Sequence, residues 1–397
     1  MTALAGYPRS DGRKGIRNLV AVAYLVECAH HVARAIATPF DDSAHLIGFP
    51  GCFPNDYAQR IMQQLGTHPN VGAVLLVSLG CESFDRFALE QTIAASGRPV
   101  ETLVIQHQGG TRATIEAGRK WVEERARELA GAERVPMEIS ELVVGTICGG
   151  SDGTSGLSGN PAVGRAFDTL VSEGAACIFE ETGELIGCED IMAARAATPA
   201  LGDELRASVA KAARYYATLG YGSFAAGNAT GGLTTIEEKS MGAYAKSGAS
   251  PISGLIKPGD IPPRGGLYLM DVVPDGEVRF GFPNIADNAE IVEMMASGAH
   301  LTLFVTGRGS VVGSALAPVI KIAANPKMYE RLSDDMDINA GRILTGEATL
   351  DEVGREIHDL TLRVAGGEPT RSEALGHKEF ILTYKSFEPL GPSCLPA

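Results

Sequence analysis

Ala73-Val74-Leu75-Leu76-Val77-Ser78-Leu79-Gly80-Cys81-Glu82 is an almost unbroken apolar run that ends in a glycine, a thiol and a carboxylate. The absence of polar alternation means that the strand it implies is buried on both faces, as in a parallel sheet covered by helices on each side. Similar runs occur at Leu19–Val26, Ala44–Phe49, Val100–Ile105 and Leu142–Ile147. Between them lie amphipathic stretches at Cys28–Ala37, Tyr57–Leu65, Phe84–Ala95 and Ile115–Ala130. Strands alternating with helices predict an α/β, Rossmann-like domain with right-handed crossovers.

Beyond it the pattern stays mixed. Strands are expected at Ala176–Phe179, Leu267–Met270, Leu301–Val305 and Val319–Ile322, and helices at Asp203–Leu219, Ala289–Ser297 and Val353–Val364. A further helix is expected to start at Asn160-Pro161, with Asn160 as its cap and Pro161 at its first position. The chain therefore divides into residues 1–148, a Rossmann-like parallel-sheet domain, and residues 149–397, a second mixed α/β domain, with the active site between them. The tail after Ser386, rich in proline, reads as irregular.

Three cysteines follow buried strands within glycine loops. They are Cys52 in Gly48-Phe49-Pro50-Gly51-Cys52-Phe53-Pro54, Cys81 in Leu79-Gly80-Cys81-Glu82, and Cys148 in Ile147-Cys148-Gly149-Gly150-Ser151-Asp152. On this reading all three lie at the carboxyl edge of one parallel sheet, where open α/β folds bind ligands. Thiolates so placed suit iron, zinc or an iron–sulfur cluster. Cys28, Cys177 and Cys188 read as packing residues.

Other loops offer polar groups. Ser151 to Asn160 is a run of glycines and hydroxyls that can present N–H groups to an anion. Arg308, between Gly307 and Gly309 after an apolar strand, can clamp a carboxylate in bidentate fashion. Lys239, beside Glu237 and Glu238, becomes a proton-transfer group if burial lowers its pKa.

Composition narrows the function class. The chain has 397 residues, 34 Lys and Arg against 48 Asp and Glu, and a formal charge of −14, which disfavours nucleic acid and anionic membranes as partners. Glycine, 48 of 397 residues, is well above the usual content of about 7%. No apolar run is long enough to span a bilayer, and the start of the chain shows no signal peptide. Seven cysteines without an export signal imply reduced thiols and a cytoplasmic protein. Walker, HExxH and dinucleotide fingerprints do not occur.

Eight collinear motifs carry a resemblance. They are Gly12-Arg13-Lys14-Gly15-Ile16-Arg17-Asn18, His68-Pro69-Asn70-Val71, Leu79-Gly80-Cys81-Glu82, Cys148-Gly149-Gly150-Ser151-Asp152, Asn160-Pro161, Glu238-Lys239-Ser240, Thr306-Gly307-Arg308-Gly309 and Asp335-Met336-Asp337-Ile338-Asn339-Ala340-Gly341. Together they resemble the large catalytic part of the altronate/galactarate dehydratase family. The resemblance implies an iron-dependent lyase that dehydrates an altronate-like sugar acid to a 2-keto-3-deoxy acid by β-elimination. The alternative within the family is a sulfolactate sulfo-lyase large subunit that releases sulfite. A non-catalytic subunit that binds an anionic metabolite is the alternative of another class.

The resemblance makes Cys52, Cys81 and Cys148 candidate ligands of Fe2+ or a [4Fe–4S] cluster, with Glu82 and Asp152 as oxygen donors. Arg17 and Arg308 would hold the substrate carboxylate, and Ser151, Ser155 and Asn160 its hydroxyls. Lys239 is the first candidate base, with Glu238 and Glu184 in reserve and Asp152 a further catalytic carboxylate. The expected partners are a small anionic hydroxy acid, a separate small subunit and further copies of the chain. The apolar loop at Phe49–Pro54, where sugar-acid enzymes of the family typically carry Gly-Cys-Gly, points to a different or smaller substrate than altronate.

Overall fold

The computed structural model describes residues 4–219, 226–275 and 286–385. The expectation for the tail after Ser386 lies outside the described residues. The chain opens with β1 (Ala5–Pro8) and β2 (Lys14–Gly15), followed by β3 (Leu19–Tyr24), β4 (Ala44–Gly48), β5 (Val71–Ser78) and β6 (Val100–Val104). The last four form a parallel sheet in the order β4-β3-β5-β6. All eight residues of β5 are buried, as its lack of alternation requires. Helices Glu27–Ala37 and Thr111–Ala130 cover one face and share an apolar cluster with it.

After the short β7 (Val135–Pro136) come β8 (Val143–Cys148), β9 (Ala176–Phe179), β10 (Ile252–Ile256), β11 (Gly266–Met270), β12 (Leu301–Thr306), β13 (Val319–Ala323) and β14 (Ile338–Asn339). These seven form a second parallel sheet in the order β10-β11-β9-β8-β12-β13-β14. The molecule is thus an α/β protein built on two parallel sheets. The strands β1, β2 and β7 make a small antiparallel sheet that sequence periodicity does not reveal, since two of them have only two residues.

One strand changes sheets relative to the sequence reading. The expected run Leu142–Ile147 is β8, and it lies between β9 and β12 of the seven-stranded sheet instead of beside the first four strands. The loops of Cys52 and Cys81 therefore belong to one sheet edge and that of Cys148 to another. A second difference concerns the helix at Asn160. It runs from Gly159 to Ser172 and is preceded by Ser158, so Asn160 lies inside the first turn and its side chain is not spent on capping. Pro161 is tolerated there because the first N–H groups of a helix have no intrahelical partner. Cys177 and Cys188 are buried as expected for packing residues, whereas Cys28 is exposed in the first turn of its helix.

Two interactions join the sheets. The first is an apolar layer shared by Ala21, Leu76, Ile147, Ile178 and Met270, with helices Asp56–Gly66 and Asp287–Ala296 packed within it. The second is a polar rivet around Asn70, which is fully buried. Its Oδ1 accepts from the N–H groups of Ile16 and Arg17, and its Nδ2 donates to the carbonyls of His300 and Leu316. All four capacities of the amide are filled.

Two histidines flank it. His68 Nε2 donates to the Ala299 carbonyl at 3.1 Å, while its Nδ1 accepts from Asn70 N–H. His300 Nε2 donates to the Lys14 carbonyl at 2.9 Å, while its Nδ1 accepts from Val143 N–H. Each ring is thereby held as the neutral Nε2–H tautomer, because protonation of Nδ1 would abolish an acceptor that a buried N–H needs. Burial, with the neighbouring His300, pushes His68 well below the ordinary imidazole range, and burial pushes His300 down to about 4.

Because the unfolded chain binds protons at these rings below about pH 6.5 and the folded chain does not, stability is lost as pH falls through that range. In urea unfolding between pH 6.0 and 4.5, His300→Gln, which keeps a donor and an acceptor, is expected to flatten the slope. The expected change is about 1.4 kcal/mol per pH unit relative to the parent; parallel slopes would show that His300 is not held neutral.

Candidate functional site

In the seven-stranded sheet the order reverses about β8, with β9 on one side and β12 on the other. The crevice beyond the carboxyl ends of β8 and β12 is thus a topological switch point. The loops leaving these strands are laced together across it. Gly149 N–H donates to the Val305 carbonyl, and the N–H groups of Gly307 and Arg308 donate to the Gly150 carbonyl at 3.2 and 2.9 Å. A Cβ at Gly149 would collide with the Asp287 carboxylate and the Phe304 ring, so the glycine permits this approach.

At the end of β8 the Cys148 thiol is buried. Its Sγ lies 3.3 and 3.6 Å from the Glu181 oxygens, 3.7 Å from Glu184 Oε2, 3.4 Å from Lys246 Nζ and 3.8 Å from Ser151 Oγ. Burial would raise this thiol, but the charges of Lys246 and Lys239, with hydrogen bonds from Ser151 and Lys246, outweigh it and lower the pKa. Glu180 and Glu181 directly follow β9, and Glu181 has φ 73°, the positive-φ non-glycine residue among those described. That conformation costs energy for a side chain with a Cβ and is held here by its partners. Cys148 N–H donates to Glu181 Oε2 at 3.1 Å, and Lys246 forms an ion pair with the same carboxylate.

The two lysines come from one continuous helical segment. Thr235 caps helix Ile236–Tyr244 by accepting from Glu238 N–H, and the turn Ala245–Ser247 follows directly. Residues seven apart lie two turns along the same face, so Lys239 pairs with Glu184 and Lys246 with Glu181. Burial pulls the Lys239 ammonium below its ordinary range despite the Cys148, Asp287, Glu290 and Glu180 charges nearby.

Beside this cluster opens a cleft of about 390 Å³, whose walls include Ser151, Asp152, Ser155, Asn160, Lys239 and Met241. Asn160 Nδ2 donates to the Gly242 carbonyl, while its buried Oδ1 has no partner among the described residues and so remains available to a hydroxyl. Asp152 accepts from Thr154 N–H and from Asn325 Nδ2, and its own N–H donates to Ser155 Oγ. Glu238 also borders the cleft, but its carboxylate accepts from the N–H and hydroxyl of Thr234.

The structure gathers some of the expected residues and separates others. Cys148, Glu184, Lys239, Ser151, Asp152, Ser155 and Asn160 surround the cleft and its buried wall. Arg308 sits on the adjoining loop with its guanidinium on the Gly227 carbonyl. Arg17 is committed elsewhere, to a bidentate pair with Glu373 and to the carbonyls of Ile16, Val364 and Glu368. Cys52 and Cys81 are exposed, their loops joined by Ser83 N–H donating to the Cys52 carbonyl. Glu82 closes its own strand end, accepting from Ser78 Oγ and Gly80 N–H.

Among the described residues, the groups whose metal-ligating atoms lie within 4.8 Å of one another are Cys148 with Glu181 and Glu184, and Glu180 with Glu181 and Glu290. Neither group contains Cys52, Cys81 or Glu82. Sequence reasoning missed Glu180, Glu181, Lys246 and Glu290. Two adjacent carboxylates at the end of a fully apolar strand, and a second lysine seven residues after Lys239, were the available signals.

Residues 139–387 match the family described as D-galactarate/altronate dehydratase, C-terminal, and residues 6–130 match D-galactarate dehydratase/altronate hydrolase, second domain. The chain is 34% identical to the (2R)-sulfolactate sulfo-lyase subunit beta of Chromohalobacter salexigens, over 95% of this chain and 96% of that protein. It is 29% identical to the altronate dehydratase of Bacillus subtilis, over 95% of this chain and 76% of the other. It is 33% identical to the galactarate dehydratase (L-threo-forming) of Escherichia coli, over 78% of this chain and 59% of the other.

The buried ion pairs make a direct prediction. Lys246→Met leaves Glu181 buried with an uncompensated charge and is expected to cost about 3–5 kcal/mol in urea unfolding. Adding Glu181→Gln should recover most of that loss; no recovery in the double variant would contradict the pairing.

Proposed function

This chain belongs to the D-galactarate/altronate dehydratase family, and from that premise we propose a lyase that dehydrates a hydroxy acid to a 2-keto-3-deoxy acid. The relatives are dehydratases and a sulfo-lyase, so the bond cleaved is of the carbon–oxygen or carbon–sulfur type. The observation that carries the reading is the buried Lys239 on the cleft wall, paired with the half-buried Glu184. β-Elimination breaks the C–H bond next to the carboxylate and expels hydroxide from the following carbon, leaving an enol that tautomerises to the keto acid.

Lys239 stands as the proton-transfer group, since burial favours its neutral amine and Glu184 can exchange a proton with it. Ser151, Ser155 and the free Oδ1 of Asn160 are placed to bind substrate hydroxyls, and Asp152 with Asn325 holds their loop. Arg308, on the loop adjoining the cleft, stands as the group for a substrate carboxylate, whereas Arg17 is held by Glu373.

Cys148, Glu181 and Glu184 fit an iron(II) ion through one favoured thiolate and two carboxylates. Bound there, it would supply Lewis-acid polarisation of a substrate oxygen. The mixed thiolate and carboxylate donor set favours a single iron ion, whereas a [4Fe–4S] cluster is held by cysteine thiolates.

A second reading is sulfite elimination from a sulfo acid, favoured by the 34% identity to a sulfo-lyase subunit over nearly its whole length and by the apolar loop at Phe49–Pro54. That relative is named as a beta subunit, which supports a separate small subunit as partner of this chain. No helix among the described residues is long and apolar enough to cross a membrane.

The test is an anaerobic screen of C3 to C6 hydroxy and sulfo acids with iron and a small subunit, following 2-keto acid and sulfite. Turnover of at least one acid is expected, with Lys239→Met slower by about 10²–10⁴-fold. No product from any acid, or an unimpaired Lys239→Met, would overturn the assignment.

A further inference from the structure

Behind the thiolate group lies a second cluster that the proposed reaction does not use. Glu180, at the end of β9, and Glu290, in helix Asp287–Ala296, are 0% and 2% exposed, and their carboxylates meet that of Glu181. One Glu180 oxygen accepts from Glu181 N–H, while its Oε1 has no partner among the described residues. The Oε1 of Glu290 is likewise buried and unpartnered. Among the described residues the nearby cations pair with other carboxylates: Lys239 with Glu184, Lys246 with Glu181, and Lys385 with Glu293, which it meets at 2.7 Å with both side chains fully buried. Two carboxyl groups removed from water, each with an idle oxygen, require a proton or a cation between them.

We propose that Glu180, Glu181 and Glu290 form an oxygen-only site for a hard divalent cation of the magnesium, manganese or calcium class. An all-carboxylate donor set selects such ions over softer metals, which distinguishes this site from the group containing Cys148. Glu181 is common to both, so its carboxylate stands between the two positions. The inference does not depend on the lyase reading, because it concerns uptake of an ion rather than turnover.

The experiment titrates the full chain, stripped with chelator, with Mn2+, counting free ion by electron paramagnetic resonance. The parent, Cys148→Ser, Glu290→Gln and Glu290→Asp are compared. The expected result is one Mn2+ equivalent that Cys148→Ser retains and Glu290→Gln loses, with Glu290→Asp binding at least about tenfold more weakly. Mn2+ should also raise the melting temperature of the parent and not that of Glu290→Gln, whose own melt without ion establishes that it folds. Three outcomes would overturn the site: no uptake of Mn2+, Mg2+ or Ca2+ by the parent, leaving a shared proton as the occupant; equal loss in Cys148→Ser, meaning one mixed site; or undiminished binding in both Glu290 variants.

Discussion

Charge that cannot reach water is the constraint around which this molecule is arranged. At the carboxyl edge of the seven-stranded sheet, Cys148, Glu180, Glu181, Glu290 and Glu293 are withdrawn from solvent together with Lys239, Lys246 and Lys385. Ionised groups in such surroundings persist only with partners at short range. The helix that presents Lys239 and Lys246, the turn that presents Glu181 and Glu184, and the helix that presents Glu290 and Glu293 must therefore keep a common registry. The left-handed backbone at Glu181 is one sign of that demand, since neighbouring contacts hold a conformation that the residue disfavours alone.

The elements of the fold were legible because buried strands and amphipathic helices leave one-dimensional signatures. The runs at Leu19, Ala44, Val100 and Leu301 became strands within a residue or two of the expected positions. Partnership was not legible. Nothing in Leu142–Ile147 states which sheet it enters, since an apolar strand suits any parallel sheet equally, and only its pairing with Ala176–Phe179 and Leu301–Thr306 decides it.

The site divides along the same line. Cys148, Ser151, Asp152 and Lys239 stood beside glycines or in motifs, and the fold brings them to one place. Glu180, Glu181, Glu290 and Lys246 were passed over, because burial of a charged side chain is a tertiary event that leaves little trace in the local sequence. Arg17 shows the converse. It lies in a cationic motif that suggests an anion site, yet its anion is Glu373, far along the same chain.

The apolar layer shared by the two sheets bears on how the chain is made. The four strands of the first sheet end at Val104, but helix Asp287–Ala296, which packs against its helix Asp56–Gly66, is translated nearly two hundred residues later. At about 5–20 residues per second, the outer side of helix Asp56–Gly66 waits roughly 10–40 s on the ribosome before this partner helix emerges. Nascent chains of this protein thus present an uncovered hydrophobic surface for a long interval, a natural point for chaperone capture and for error when synthesis outpaces assistance.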